Sequence, residues 1–140
     1  MNIIEGFNIN ENQFVRWNVS FEEFKNICKK NNIDYQLEMN NILKEIILSM
    51  KFANLGKLRA SIYFINESIR EIYFTNENIT EFHLNQYLSV DNDLILYFGK
   101  PKIRNSRQSL WEFDKIRIKH FYIQKDDTVM DYLVLENHYC

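Results

Sequence analysis

A nine-residue pattern occurs twice in this chain. Lys57-Leu58-Arg59-Ala60-Ser61-Ile62-Tyr63-Phe64-Ile65 returns, blurred, as Lys115-Ile116-Arg117-Ile118-Lys119-His120-Phe121-Tyr122-Ile123. Both copies alternate apolar and polar positions, the period of a half-buried strand. A second pair, Ile72 to Asn76 and Leu133 to Asn137, follows each copy at the corresponding place. The pattern predicts an α+β fold in which two tandem helix-plus-antiparallel-strand units, over 14–76 and 83–137, form an antiparallel sheet with helices on one face.

The helices announce themselves by their ends. Ser20 followed by Phe21-Glu22-Glu23 is a capping box, in which the hydroxyl accepts an early helical N–H and Glu23 reaches back to the cap. It predicts a helix over 21–30 that gathers Phe21, Phe24, Ile27 and Cys28 on one face. A second helix is signalled by Ser89 and Asp91 ahead of Leu94 to Phe98, with Gly99 and Pro101 as its stop. Strands are expected over 57–65, 69–76, 110–113, 115–124 and 131–137. Between Tyr35 and Phe52, Leu43, Ile46, Ile47 and Met50 fit a helix stripe, while Ile46 to Phe52 fits a strand; the repeat favours the strand.

One domain over 1–140 accommodates all of this. With 46% hydrophobic residues, three glycines and one proline, the chain has material for a single core and no linker composition. Two cysteines, Cys28 and the terminal Cys140, suit a reducing compartment. No basic leader with a long apolar run and no membrane-length apolar stretch occurs, so the expectation is a cytoplasmic chain without membrane association. Sequons at Asn18, Asn66 and Asn78 are what an Asn-rich sequence produces by chance.

Alternation divides the strand residues between two faces. Leu58, Ala60, Ile62 and Phe64, with Ile116, Ile118, His120 and Tyr122, are expected to point at the helices. The opposite face carries Lys57, Arg59 and Tyr63 beside Lys115, Arg117, Lys119 and Phe121, joined by Glu71, Tyr73, Tyr132, Val134 and Glu136 from neighbouring strands. Aromatics mixed with arginine favour protein interfaces. The candidate protein-binding set is therefore Lys57, Arg59, Tyr63, Tyr73, Lys115, Arg117, Lys119, Phe121 and Tyr132. The plainer alternative is a solvated face whose cross-strand pairs serve stability.

The sequence carries no recognisable catalytic or metal-binding pattern. His120 falls in phase with Ile116 and Ile118, which predicts a core imidazole held neutral by desolvation; a catalytic role needs a carboxylate from another strand. His83 and His138 have no metal-ligand spacing, Asp126-Asp127 reads as a solvated loop, and three scattered glycines form no phosphate loop. Cys28 reads as a small buried hydrophobe, and Trp17 and Trp111 as core anchors near the helix–sheet junction. No catalytic residue, metal ligand or cofactor is assigned.

Ser20-Phe21-Glu22-Glu23 opening one helix, Phe98-Gly99-Lys100-Pro101 closing another, and Trp111-Glu112-Phe113 leading into Ile116-x-Ile118-x-His120 together resemble small bacterial α+β proteins of the immunity type, from polymorphic or contact-dependent toxin systems. The resemblance implies a non-enzymatic protein that neutralises a toxin domain by stoichiometric binding, and it carries over no individual residue. The alternatives are an interaction domain without inhibitory function and a nucleic-acid-binding module using Lys57, Arg59, Lys115, Arg117 and Lys119 with Tyr63 and Phe121. A net charge of −2 makes nucleic acid the less expected partner. Pairing of an aromatic sheet face with a second copy stays open.

Overall fold

The computed structural model describes residues 2–40, 42–75, 84–126 and 128–139. The Asn78 sequon, His83, Asp127 and Cys140 lie outside them. The fold is α+β, mostly sheet. Strands β1 (Gly6–Asn10) and β2 (Gln13–Arg16) make a small hairpin, followed by helix α1 (Phe21–Lys30), β3 (Tyr35–Met39), β4 (Lys44–Lys51), β5 (Lys57–Ile65) and β6 (Ser68–Thr75). Helix α2 (Leu84–Phe98) then leads into β7 (Ile103–Arg104), β8 (Gln108–Phe113), β9 (Ile116–Lys125) and β10 (Thr128–Asn137). The last eight strands form one antiparallel sheet in the order β3-β4-β5-β6-β10-β9-β8-β7.

Helix α1 begins where its cap predicts: Ser20 Oγ accepts the Glu23 N–H at 3.1 Å, a cap that contributes about 1 kcal/mol. Glu22 and Glu23 occupy its first turn and Lys29 and Lys30 its last, complementing the helix dipole. Helix α2 ends as expected at Gly99, whose φ of 88° and N–H bond to the Ile95 carbonyl at 2.8 Å close the last turn in a conformation glycine adopts without strain. Its start differs. The helix already runs at Leu84, so Asp91 is a mid-helix residue and not an N-terminal signal.

Both helices and the hairpin cover the same sheet face. Phe21 and Phe24 meet Phe64 edge-on at centroid distances of 5.4 and 5.7 Å, and Phe98 stacks on Phe52 at 5.7 Å. The Trp17 carbonyl accepts the Ile69 N–H at 3.4 Å, and its indole N–H donates to the Ile3 carbonyl at 2.8 Å. Trp111 likewise donates to the Gly99 carbonyl at 2.8 Å. Phe7, Val15, Trp17, Ile46, Ile62, Ile72, Ile116, Ile118 and Leu135 belong to one buried cluster, so the sheet face expected to point at the helices does so. The ambiguous stretch before Phe52 is strand, in β3 and β4.

The expected division into two tandem helix-plus-strand units needs correction. The β1–β2 hairpin precedes α1 as an additional element, and the strands form a single continuous sheet joined at a central β6–β10 pair, with Ile72 opposite Leu135 and Phe74 opposite Leu133. The physical reason is the edges: four-stranded sheets standing apart would leave the unpaired N–H and C=O groups of β6 and β10 exposed, and pairing the two strands satisfies both at once.

Candidate functional site

The uncovered face is built by register. Across it Tyr63 stands between Glu45 and Glu71, and Glu71 is followed by Glu136, Arg117 and Glu112 on successive strands. The next row runs Ile47, Ser61, Tyr73, Val134 and Lys119. Tyr63 and Tyr73 form an edge-to-face pair at 5.6 Å, and Phe121 stacks on Tyr132 at 5.1 Å with ring planes 16° apart. These rings are partly exposed, Tyr73 at 37%. Desolvation, with Glu45 beside Tyr63 and Glu71 beside Tyr73, pushes both phenol pKa values up, so the hydroxyls stay protonated donors.

The basic residues of the candidate set do not form a strip. Arg117 Nε contacts Glu112 at 2.8 Å, Lys119 Nζ contacts Glu136 at 3.1 Å, and Glu112 also holds Lys102. Although burial opposes it, bonds from His138 and Lys119 hold the Glu136 carboxyl below its usual range. Lys57 opens β5 and Lys115 lies in the turn before β9, its ammonium 5.9 Å from the Tyr139 ring. Arg59 lines an open depression of about 540 Å³ with Asp34, Tyr35, Gln36, Ile47, Leu48 and Ser49. The structure thus brings together Tyr63, Tyr73, Arg117, Lys119, Phe121 and Tyr132, and interleaves them with glutamates that the strand-phase reading only half anticipated.

Behind this face lies a group that sequence reasoning missed. His120 is fully buried, with Nδ1 2.8 Å from Asp91 Oδ1 and Nε2 2.8 Å from Asp131 Oδ1. The second contact is close but out of line for a hydrogen bond, so Asp131 acts on the ring as a charge. Ser109 Oγ donates to Asp91 Oδ2 at 3.0 Å, Arg104 Nε lies 3.3 Å from the same oxygen, and Tyr87 stacks on the imidazole at 4.3 Å while its hydroxyl donates to the His120 carbonyl. Desolvation, the effect expected to keep this core histidine neutral, would lower its pKa, yet the two carboxylates outweigh it and the shift is upward.

The position itself does not demand polarity. Counting outward from the β6–β10 seam, Leu133 is followed by His120, Ser109 and Arg104, whereas on the other side Ile72 is followed by Ile62, Ile46 and Leu37. Corresponding places in the sheet are filled by aliphatic side chains on one side and by a charged network on the other. Chemically, the Ser109 hydroxyl is spent on a carboxylate, so the imidazole does not activate it as a nucleophile. The carboxylates approach opposite edges of the ring and do not converge, and among the described residues no group of three His, Cys, Asp or Glu side chains is placed to hold a metal ion. Only the in-phase placement of His120 hinted at this network, since a buried imidazole needs partners; no spacing named Asp91 or Asp131.

Cys28 is buried, and desolvation pushes its thiol up to about 11, consistent with packing and not with a nucleophile. Among the described residues no helix is long and apolar enough to cross a membrane. Comparison with family models, with curated proteins and with solved structures finds no match for this chain.

Proposed function

We propose that this protein acts by stoichiometric binding of another protein through the uncovered sheet face, as a cytoplasmic immunity-type protein that neutralises a toxin domain. The observation that carries the reading is the pairing of partly exposed aromatics, Tyr63 with Tyr73 and Phe121 with Tyr132, on a face that both helices leave open. Such rings bury large area at low entropic cost while keeping a polar handle, the property that concentrates binding energy at interfaces. A nucleic-acid reading gains less support, because Arg117 and Lys119 are already neutralised by Glu112 and Glu136 and offer phosphates little net charge.

The test uses tagged protein from its source cells, as wild type and as a Tyr63→Ala/Phe121→Ala variant with matching circular dichroism. The expected result is one protein partner co-eluting in stoichiometric amount with the wild type, lost from the variant, and inhibiting growth when expressed without it. Equal retention by the variant would move the interface elsewhere. A partner whose expression is harmless would remove the immunity reading.

A further inference from the structure

The eight-stranded sheet ends in two unlike edges. One is β7, only two residues long and carrying Arg104, which is how natural sheets blunt an edge. The other is β3, five residues with no strand on its far side among the described residues. Which of its backbone groups are unused follows from the hairpin. Asn40 N–H donates to the Leu43 carbonyl at 2.9 Å, so the 40/43 pair is hydrogen-bonded and antiparallel alternation assigns the next bonded pairs to Glu38/Glu45 and Gln36/Ile47. The N–H and C=O groups of Tyr35, Leu37 and Met39 therefore face outward.

Their side chains are as unusual as their backbone. Leu37 stands opposite buried Ile46, which puts Tyr35, Leu37 and Met39 on the helix side of the sheet, yet Leu37 is 43% and Met39 64% exposed. Gln36 and Glu38 share the other side. A strand with outward-bonding residues at its first, third and fifth positions is self-complementary about its centre. A two-fold axis through Leu37 pairs Leu37 with Leu37 of a second copy and Tyr35 with Met39, and places Gln36 opposite Glu38.

We propose that the β3 edge is a homodimer interface in which two copies join antiparallel about Leu37 into one sixteen-stranded sheet. This register satisfies all three outward-facing residues of each copy, about six backbone hydrogen bonds in total. It sets apolar side chains against apolar ones, and it meets each Glu38 carboxylate with a glutamine amide. Pairing centred on Glu38 would oppose two carboxylates and leave Tyr35 with no partner residue in the other copy's β3. The favoured occupant is thus a second copy, and a foreign strand is the alternative the experiment decides.

The mass of the purified full chain is measured by sedimentation over a dilution series. The expected result is a reversible shift from the 17.1 kDa monomer to twice that mass. Gln36→Lys, which creates two Lys–Glu pairs across the axis, tightens the dimer about fivefold, and Gln36→Glu weakens it about fivefold. Leu37→Pro removes the central outward N–H without touching a β3–β4 bond and abolishes the dimer, with circular dichroism confirming an intact fold. A monomer at every concentration overturns the proposal, as does a dimer indifferent to the Gln36 variants. A dimer lost in Tyr63→Ala/Phe121→Ala but kept in Leu37→Pro also overturns it.

Discussion

Replacing His120 by isoleucine places at that position the residue type that stands at the corresponding place across the seam, yet it should be strongly destabilising. The ring is fully buried and the Asp91 side chain is 2% exposed, so the substitution strands a carboxylate that water cannot reach. Breaking a buried charge pair from one side costs about 3–5 kcal/mol. The lower end applies, about 3 kcal/mol, because Ser109 and Arg104 still hold the other Asp91 oxygen at 3.0 and 3.3 Å. For a chain of this length that is a drop of about 10 °C in Tm. The pH dependence identifies the cause. His120 has a folded-state pKa raised above the ordinary histidine value of 6.5, so its stabilisation is complete below that value and fades as pH rises through the folded-state pKa. Urea titrations at about pH 6 and about pH 9 should therefore show the His120→Ile penalty shrinking at the higher pH. Adding Asp91→Leu removes the stranded charge and should recover more than half of the loss, since buried ion pairs replaced by apolar side chains are often neutral. A single variant within about 1 kcal/mol of wild type, or a penalty unchanged with pH, would refute the reasoning.

Three further outcomes are expected. Gly6→Ala brings a Cβ to 1.9 Å from the Val15 carbonyl oxygen, a clash with paired backbone that should cost about 3 kcal/mol in denaturant titration. Gly99→Ala meets no atom but must hold a φ of +88°, so its loss should be about 1 kcal/mol, with Gly99→Asn milder. Cys28, buried and with its thiol pushed up to about 11, should stay unlabelled by iodoacetamide at neutral pH until the protein is unfolded, as peptide mass mapping will read.

What could be read ahead of the structure was whatever carried a local signal. The Ser20 cap and the alternation of β5, β6, β9 and β10 are local, and they located α1 and the inner and outer faces of the central strands. Strand β3 was only weakly legible because most of its residues are exposed on both faces, so alternation carries little information there. The β1–β2 hairpin was invisible for a different reason: its strands are short, and Phe7 and Val15 are buried by residues distant in sequence. Asp91 misled because aspartate in a helix interior is disfavoured and normally marks a start. Here a contact with His120, twenty-nine residues away, overrides that preference. Asp131 and Asp91 together also push the His120 pKa up against desolvation, for desolvation can be inferred from strand phase but opposing carboxylates cannot.

The central position of β10 has a consequence for biosynthesis. Synthesised after the other seven strands of its sheet, it inserts between β6 and β9, so until it arrives those two strands lack the partner that pairs them. The seam is closed by contacts far apart along the chain, the kind that form slowly and leave intermediates prone to association. A nascent or shortened chain without β10 would therefore be more than a slightly weakened protein. It would carry an open slot matching the missing strand, receptive to any extended segment that reached it first.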